Sequence, residues 1–344
     1  MQVNDIYIMQ YPCGLLNEGN TCYINSFLQL FFLCPELMEI LNTKPKTRGT
    51  ITNIFKTISR IIFSKGNEEG HVMKLTLFLN KFKEEYKNFF VMGRQQDSHE
   101  AIMLFILTLH EQLKETFTNK NLKFLMKEAA YIKKDIKKYR QSYKSIYEND
   151  YSAISNIFFG HTMSTLKCNN CNDVSQKIEN FKELVLSIDD KDVNTLEQAL
   201  DIFFNEEIIE DKKCEKCKKT KTTYRKYNIV SYPKYLFITF SRYKFNMQRL
   251  QYIKNQKFIN FPNELDISNY IIENNDNKHM DDGSNYSLKG FINHMGVAGG
   301  GHYTATCKYP TGWYECDDEN PRLLSQDLKD IHKRHAYILL YEKK

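Results

Sequence analysis

Gly14-Leu-Leu-Asn-Glu-Gly-Asn-Thr-Cys-Tyr-Ile-Asn-Ser26 is the stretch from which the rest of the chain is read. Gly19 and Asn20 favour a turn, and apolar residues at Phe27, Leu28, Leu30, Phe31 and Phe32 follow with helical spacing up to Pro35. A helix therefore begins near Cys22. A thiol at a helix N-terminus meets unpaired N–H groups and the positive end of the dipole, which lowers its pKa and suits it to nucleophilic attack. Asn17, five residues upstream, can bring an amide N–H₂ to the same point and help to hold an oxyanion. Position alone fits a buried helix-start thiol equally well.

A nucleophilic thiol needs a base. Gly299-Gly300-Gly301-His302-Tyr303 delivers an imidazole from a glycine-rich loop into a strand-like run ending at Cys307. The turn Tyr309-Pro-Thr-Gly312 leads to Trp313-Tyr-Glu-Cys-Asp-Asp318, where Asp317 or Asp318 can orient that imidazole. Cys, His and Asp then come from two different parts of the chain, as in a cleft between lobes.

The first third is helical in pattern, with a further apolar face (Ile102, Phe105, Ile106, Leu109, Leu113) across Asp97–Leu113. Later, Leu184–Ile188, Tyr235–Phe240, His302–Cys307 and Ala336–Tyr341 are short β-branched and aromatic runs, with one short helix expected at Thr195–Phe204. This is an α+β pattern, a helical lobe followed by a mostly antiparallel β lobe. The 344 residues suit one large domain. No apolar run reaches membrane-span length and no secretory signal is visible. Nine cysteines, an odd number, argue against a disulfide framework and for an intracellular, cytoplasmic or nuclear setting.

Four of the nine form Cys168-x-x-Cys171 and Cys214-x-x-Cys217. Two such pairs between strand-like segments make a ribbon that closes a tetrahedron around Zn²⁺, a structural site with no open position. The net charge of +6 is local: residues 119–149 and 211–226 each carry +6, and the remainder of the chain is acidic. No aromatic ladder interleaves these bases, so nucleic acid is not the expected partner. Leu122, Leu125, Ala129, Ile132, Ile136, Tyr139, Tyr143 and Ile146 follow heptad spacing. That predicts a long helix lying on the helical lobe, or a helical arm at 119–149 that recruits a partner.

The cysteine and histidine boxes together resemble those of the ubiquitin-specific proteases, papain-like deubiquitinating cysteine proteases. Gln95-Gln96-Asp97-Ser98-His99-Glu100, Phe159-Gly160 before Cys168, and Arg242-Tyr243 fall in the family's order, so the resemblance runs from about Gly14 to Tyr341. It implies a thumb, palm and fingers architecture. An N-terminal extension (1–13) would precede one catalytic domain (14–344), divided into a helical thumb (14–117), an inserted long helix (118–150), fingers with the zinc ribbon (151–235) and a palm (236–344). It also implies Cys22 as nucleophile, His302 as base, Asp317 as third member, Asn17 in the oxyanion hole and Asp318 in support. Ubiquitin or ubiquitinated proteins would be the substrates. Asp97 and Glu100, three apart at a helix start, would pair with an arginine of ubiquitin's tail or form a capping box. His294 would line the palm, and His99 and His110 would be surface or packing residues of the thumb. The chain departs from the family pattern at Cys316, usually aromatic, at Ser241-Arg242-Tyr243, and in the length of 118–150. A non-catalytic ubiquitin-binding scaffold, a protease for a ubiquitin-like modifier and a zinc-ribbon nucleic-acid binder are the alternatives.

Overall fold

The computed structural model describes residues 8–43, 50–90, 96–128, 136–248, 250–272 and 284–344. The helix that opens the fold is Cys22–Phe32, and every residue in it is buried. A helix apolar on most faces belongs inside a core. Phe27 and Phe31 pack on Phe105, with ring centroids 5.5 and 5.2 Å apart. Phe105 belongs to the helix Ser98–Gln112, and helices Ile51–Lys65 and Thr76–Glu85 complete the bundle. Pro35 does more than stop the first helix: it opens the next one, Pro35–Thr43, where a proline lacks only an N–H that would have no partner.

The palm is an eight-stranded sheet. Seven strands run in the order Asn320–Ser325, Gly312–Asp317, Gly300–Tyr309, Asn285–Val297, Ala336–Lys343, Tyr235–Ser241 and Glu183–Ser187, and Glu264–Asp266 pairs with Asn285–Val297. All pairings are antiparallel except the last in that path, where Glu183–Ser187 runs parallel to Tyr235–Ser241. Alternation sends Phe237, Ile338 and Leu340 to the helical lobe and Leu236, Ile238, Leu339 and Tyr341 to the opposite face. That opposite face is covered by the helix Leu196–Phe204, whose N-cap Thr195 forms a capping box with Gln198. Thumb and one palm face thus share a single core.

The fingers are a four-stranded antiparallel sheet, ordered Val174–Phe181, Gly160–Cys168, Thr220–Ser231 and Glu207–Lys213. One knuckle sits at the tip of each of its two outer hairpins. The inserted segment differs from the expectation. It contains two helices, Asn119–Glu128 and Ile136–Tyr147, and their apolar residues lie on the fingers sheet and not on the helical lobe. Leu122, Leu125, Tyr139, Tyr143 and Tyr147 are buried there with Met163, Ile178 and Val230. The heptad spacing reflects a seam satisfied within the chain; Ala129 and Ile132 lie outside the described residues. Among the described residues no single helix is long and apolar enough to cross a membrane.

Candidate active site

Gly19 (φ 99°) and Asn20 (φ 52°) turn the chain immediately before Cys22. Thr21 is the N-cap but its side chain accepts no helix N–H, which leaves the first N–H groups of the helix to the Cys22 thiol. The strand Gly300–Tyr309, which carries His302, packs across this helix, and the Tyr303 N–H acts on the Cys22 thiol. Burial pushes the thiol above its ordinary pKa, the Tyr303 N–H pulls it back, and the Asp318 charge raises it again. The net effect is upward. The expectation of a lowered pKa is corrected: the helix N-terminus is present, but desolvation of a residue only 3% exposed outweighs it.

His302 Nε2 lies 2.6 Å from Asp317 Oδ1. Both side chains are partly open to solvent, so they face the cleft. With Nε2–H on the carboxylate, Nδ1 is the ring nitrogen left as a base. Asp317 and Asp318 divide the roles that the sequence left open. Asp318, in left-handed backbone (φ 49°), takes the amides of Asn17 (Nδ2 to Oδ2, 2.7 Å) and Asn25 (Nδ2 to Oδ1, 2.8 Å). Asn17 Oδ1 accepts from the N–H groups of Gly19 (3.0 Å) and Thr21 (3.3 Å). Asn17 is therefore held from both ends of its amide. Asn25 was quoted in the sequence stretch without a role; its place one helical turn after Cys22 was the available signal.

His294 packs at a tilt against Tyr303 (centroids 4.4 Å, 33° between the rings), and its Nδ1 is hydrogen-bonded to Tyr243 Oη at 2.7 Å. A Cβ on Gly301 would lie 2.4 Å from His294 Nε2 and 2.3 Å from the Met295 carbonyl. Glycine at 301 lets the loop before His302 lie flat on this imidazole. Tyr243, one of the positions that depart from the family pattern, places its hydroxyl on His294.

Asp97 caps the helix Ser98–Gln112 by accepting the His99 N–H (2.8 Å), and its other oxygen accepts the Tyr337 hydroxyl of the palm (2.9 Å). The second half of a capping box is not formed; Glu100 is exposed. Gln95 lies outside the described residues. His99 is not a plain surface residue: its Nε2 sits 2.7 and 2.8 Å from the two oxygens of Glu183 on the palm. His110 is buried and bonded to Ser152 (2.7 Å) and Asp150 (3.1 Å).

At the fingertips, ligand atoms of Cys168, Cys171, Cys214 and Cys217 all lie within 4.8 Å of one another. The two loops have the same backbone. Asn172 N–H donates to Cys168 O (2.9 Å) and Lys218 N–H to Cys214 O (3.0 Å), and both residues are left-handed (φ 53° and 58°). Four thiols converging from two equivalent loops form a set that could hold one metal ion.

The family model described as ubiquitin carboxyl-terminal hydrolase matches residues 13–341. The chain belongs to that family. Ubiquitin carboxyl-terminal hydrolase Usp2 of Drosophila melanogaster is 28% identical over 344 residues, covering 96% of this chain and 35% of that protein. Ubiquitin carboxyl-terminal hydrolase 2 of Homo sapiens is 28% identical over 351 residues, covering 96% of this chain and 54% of that protein. This family member therefore spans 35% of the one and 54% of the other. The solved Ubp8/Sgf11/Sus1/Sgf73 module bound to ubiquitin aldehyde is similar in fold, with a TM-score of 0.71 at 23% identity, covering 100% of this chain and 71% of that one. The thumb, palm and fingers architecture of this member is that of its family.

Proposed function

We propose that this chain is a deubiquitinase, a thiol hydrolase of the isopeptide or peptide bond after ubiquitin's C-terminal glycine. The observation that carries the reading is the His302–Asp317 pair, 2.6 Å from Nε2 to Oδ1, on strands packed against the helix that Cys22 opens. Attack begins with proton transfer from Cys22 to His302 Nδ1. Sulfur then bonds to the glycine carbonyl carbon, and the oxygen of the tetrahedral species takes up negative charge. The Cys22 and Tyr23 N–H groups and the Asn17 amide are the donors for that oxygen. His302 returns its proton to the leaving amine as the C–N bond breaks, leaving a thioester. Water, deprotonated by His302, releases the ubiquitin carboxylate and the free thiol. Asp317 keeps the proton on Nε2 throughout.

Asp97 and Glu100 are assigned to an arginine of ubiquitin's tail. The four fingertip thiols are assigned to one structural Zn²⁺, since two knuckles with four sulfur donors match its tetrahedral preference. The chemistry it supplies is cohesion, joining two hairpin tips that have little core of their own. The basic outer faces of Asn119–Glu128 and Ile136–Tyr147 remain for a partner, because their apolar seam is used on the fingers.

The test is release of a fluorogenic amide from the C-terminus of ubiquitin by the protein and by Cys22→Ala. Release by the first alone supports the assignment. Release by neither, with intact fold and bound zinc, refutes it and turns attention to a ubiquitin-like modifier or to a scaffold that binds without cleaving.

A further inference from the structure

The helical lobe touches the palm across the cleft at an ion pair that the hydrolytic steps do not use. His99, in the first turn of Ser98–Gln112, places Nε2 at 2.7 and 2.8 Å from the two oxygens of Glu183, the first residue of the edge strand Glu183–Ser187. Thr239 Oγ1 donates to one of those oxygens at 2.9 Å. The pair is only partly covered, with 26% of the His99 and 14% of the Glu183 side chain exposed. Glu183 has no cation other than His99 among the described residues.

We propose that His99 competes with ubiquitin's tail: in its protonated form it occupies Glu183, and an arginine of the incoming tail must displace it to bind there. This rests on the deubiquitinase reading and deepens it by adding Glu183 to Asp97 and Glu100 as the acidic wall of the cleft. A guanidinium binds a carboxylate best through both oxygens at once, and His99 covers both. Arginine and imidazolium are thus mutually exclusive on Glu183, and two cations at that spacing repel.

The groups facing His99 set the direction of its pH dependence. Asp97 and Glu100 lie on its own helix, Glu183 on the edge strand, and the uncharged Thr239 and Tyr337 on the neighbouring strands. Burial lowers the imidazole pKa, but the Glu183 hydrogen bond and charge, with Asp97 and Glu100, raise it further, and the net shift is upward. The ion pair is therefore fully formed below the ordinary histidine range and is lost as pH rises through the raised value. Competition is strong in mild acid and fades in mild base.

The test uses the full chain carrying Cys22→Ala, so that ubiquitin binds without turnover, and measures Kd from about pH 6 to about pH 8.5, either side of an ordinary histidine. The expected result is a Kd that tightens several-fold as pH rises. The His99 ring resonance should titrate above the ordinary range when free and at lower pH when ubiquitin is bound. Adding His99→Gln should give tight, pH-independent binding, and adding Glu183→Gln weak, pH-independent binding. Ubiquitin with its tail arginines changed to alanine should lose the pH trend. A flat Kd in the Cys22→Ala protein overturns the proposal, as does a His99→Gln variant, folded by circular dichroism, that binds more weakly at every pH. Binding without a pH trend leaves the deubiquitinase reading standing; no ubiquitin binding at any pH by a folded protein removes both.

Discussion

Asp317 ends the Gly312–Asp317 strand with its carboxylate 2.6 Å from His302 Nε2, whereas Asp318 turns into left-handed backbone and takes the Asn17 and Asn25 amides. Substituting each tests a different thing. Asp318→Asn puts an amide where two amides already donate, so Asn17 loses its anchor. Turnover should fall by about 10²–10³, the cost of losing an oxyanion donor, and Asn17→Ala should match it. In the double variant the losses should fail to add, since both act on one donor. Asp317→Asn removes the acceptor for Nε2–H. Its cost should be below the roughly 10⁴ of a serine triad, because a thiolate and imidazolium depend less on one tautomer. Steady-state kcat on the fluorogenic ubiquitin amide reads all four; additivity of Asn17→Ala with Asp318→Asn would separate those residues.

Elements carry their own dependence on pH and metal. His161, buried in the Gly160–Cys168 strand, bonds Tyr147 Oη through Nε2 (2.7 Å) and Ser231 Oγ through Nδ1 (2.6 Å). Burial lowers its pKa from 6.5 to about 3. The unfolded chain takes this proton near the ordinary value and the folded one refuses it, so the stability is present above that value and lost as pH falls below it. By pH 5 the loss reaches about 2 kcal/mol. The helix Ile136–Tyr147 should loosen from the fingers in mild acid, read as faster amide exchange at pH 5 than at pH 7 after correction for intrinsic rates. Equal protection at the two values would disprove the account. At the fingertips, a zinc ion held by the four thiols would supply on the order of 10 kcal/mol of local folding free energy. Chelation, or Cys214→Ser, should abolish amide protection in both knuckle hairpins and cost one zinc per chain, while the helical lobe stays protected.

At the scale of the molecule, the cleft depends on a core that thumb and palm share. Phe31 contacts Phe105 and Phe55 in the thumb and Phe237 in the palm sheet, the last with centroids 5.9 Å apart. Phe31→Ala should cost about 3–5 kcal/mol. Because the core is common, probes on thumb helices and on palm strands should lose stability together, with one denaturant midpoint. Two separated midpoints would mean that the lobes unfold independently and that the helix Cys22–Phe32 does not couple them.

Much of this was legible before folding. Cys22 and Asn17 stand out because glycine and asparagine must turn the chain just ahead of an apolar helix. The four fingertip cysteines stand out because thiol spacing is a local property of a knuckle. The strands Tyr235–Ser241 and Ala336–Lys343 announce themselves by β-branched and aromatic runs buried on both faces. What the sequence by itself determined is therefore set by short-range spacing: a thiol at a helix start, a histidine after a glycine-rich loop, two cysteine knuckles and the order of lobes. Tertiary structure alone decided the rest. It assigned Asp317 to His302 and Asp318 to the asparagines, since adjacent carboxylates differ only in where the backbone points them. It set the Cys22 thiol above its ordinary pKa, because desolvation depends on everything packed around a group while a helix N-terminus depends on its own turn. It turned a heptad pattern into two helices on the fingers, and it joined His99 to Glu183 across 84 positions of chain. Each of these is a contact between residues far apart in sequence, whose energy depends on distances that no local pattern encodes.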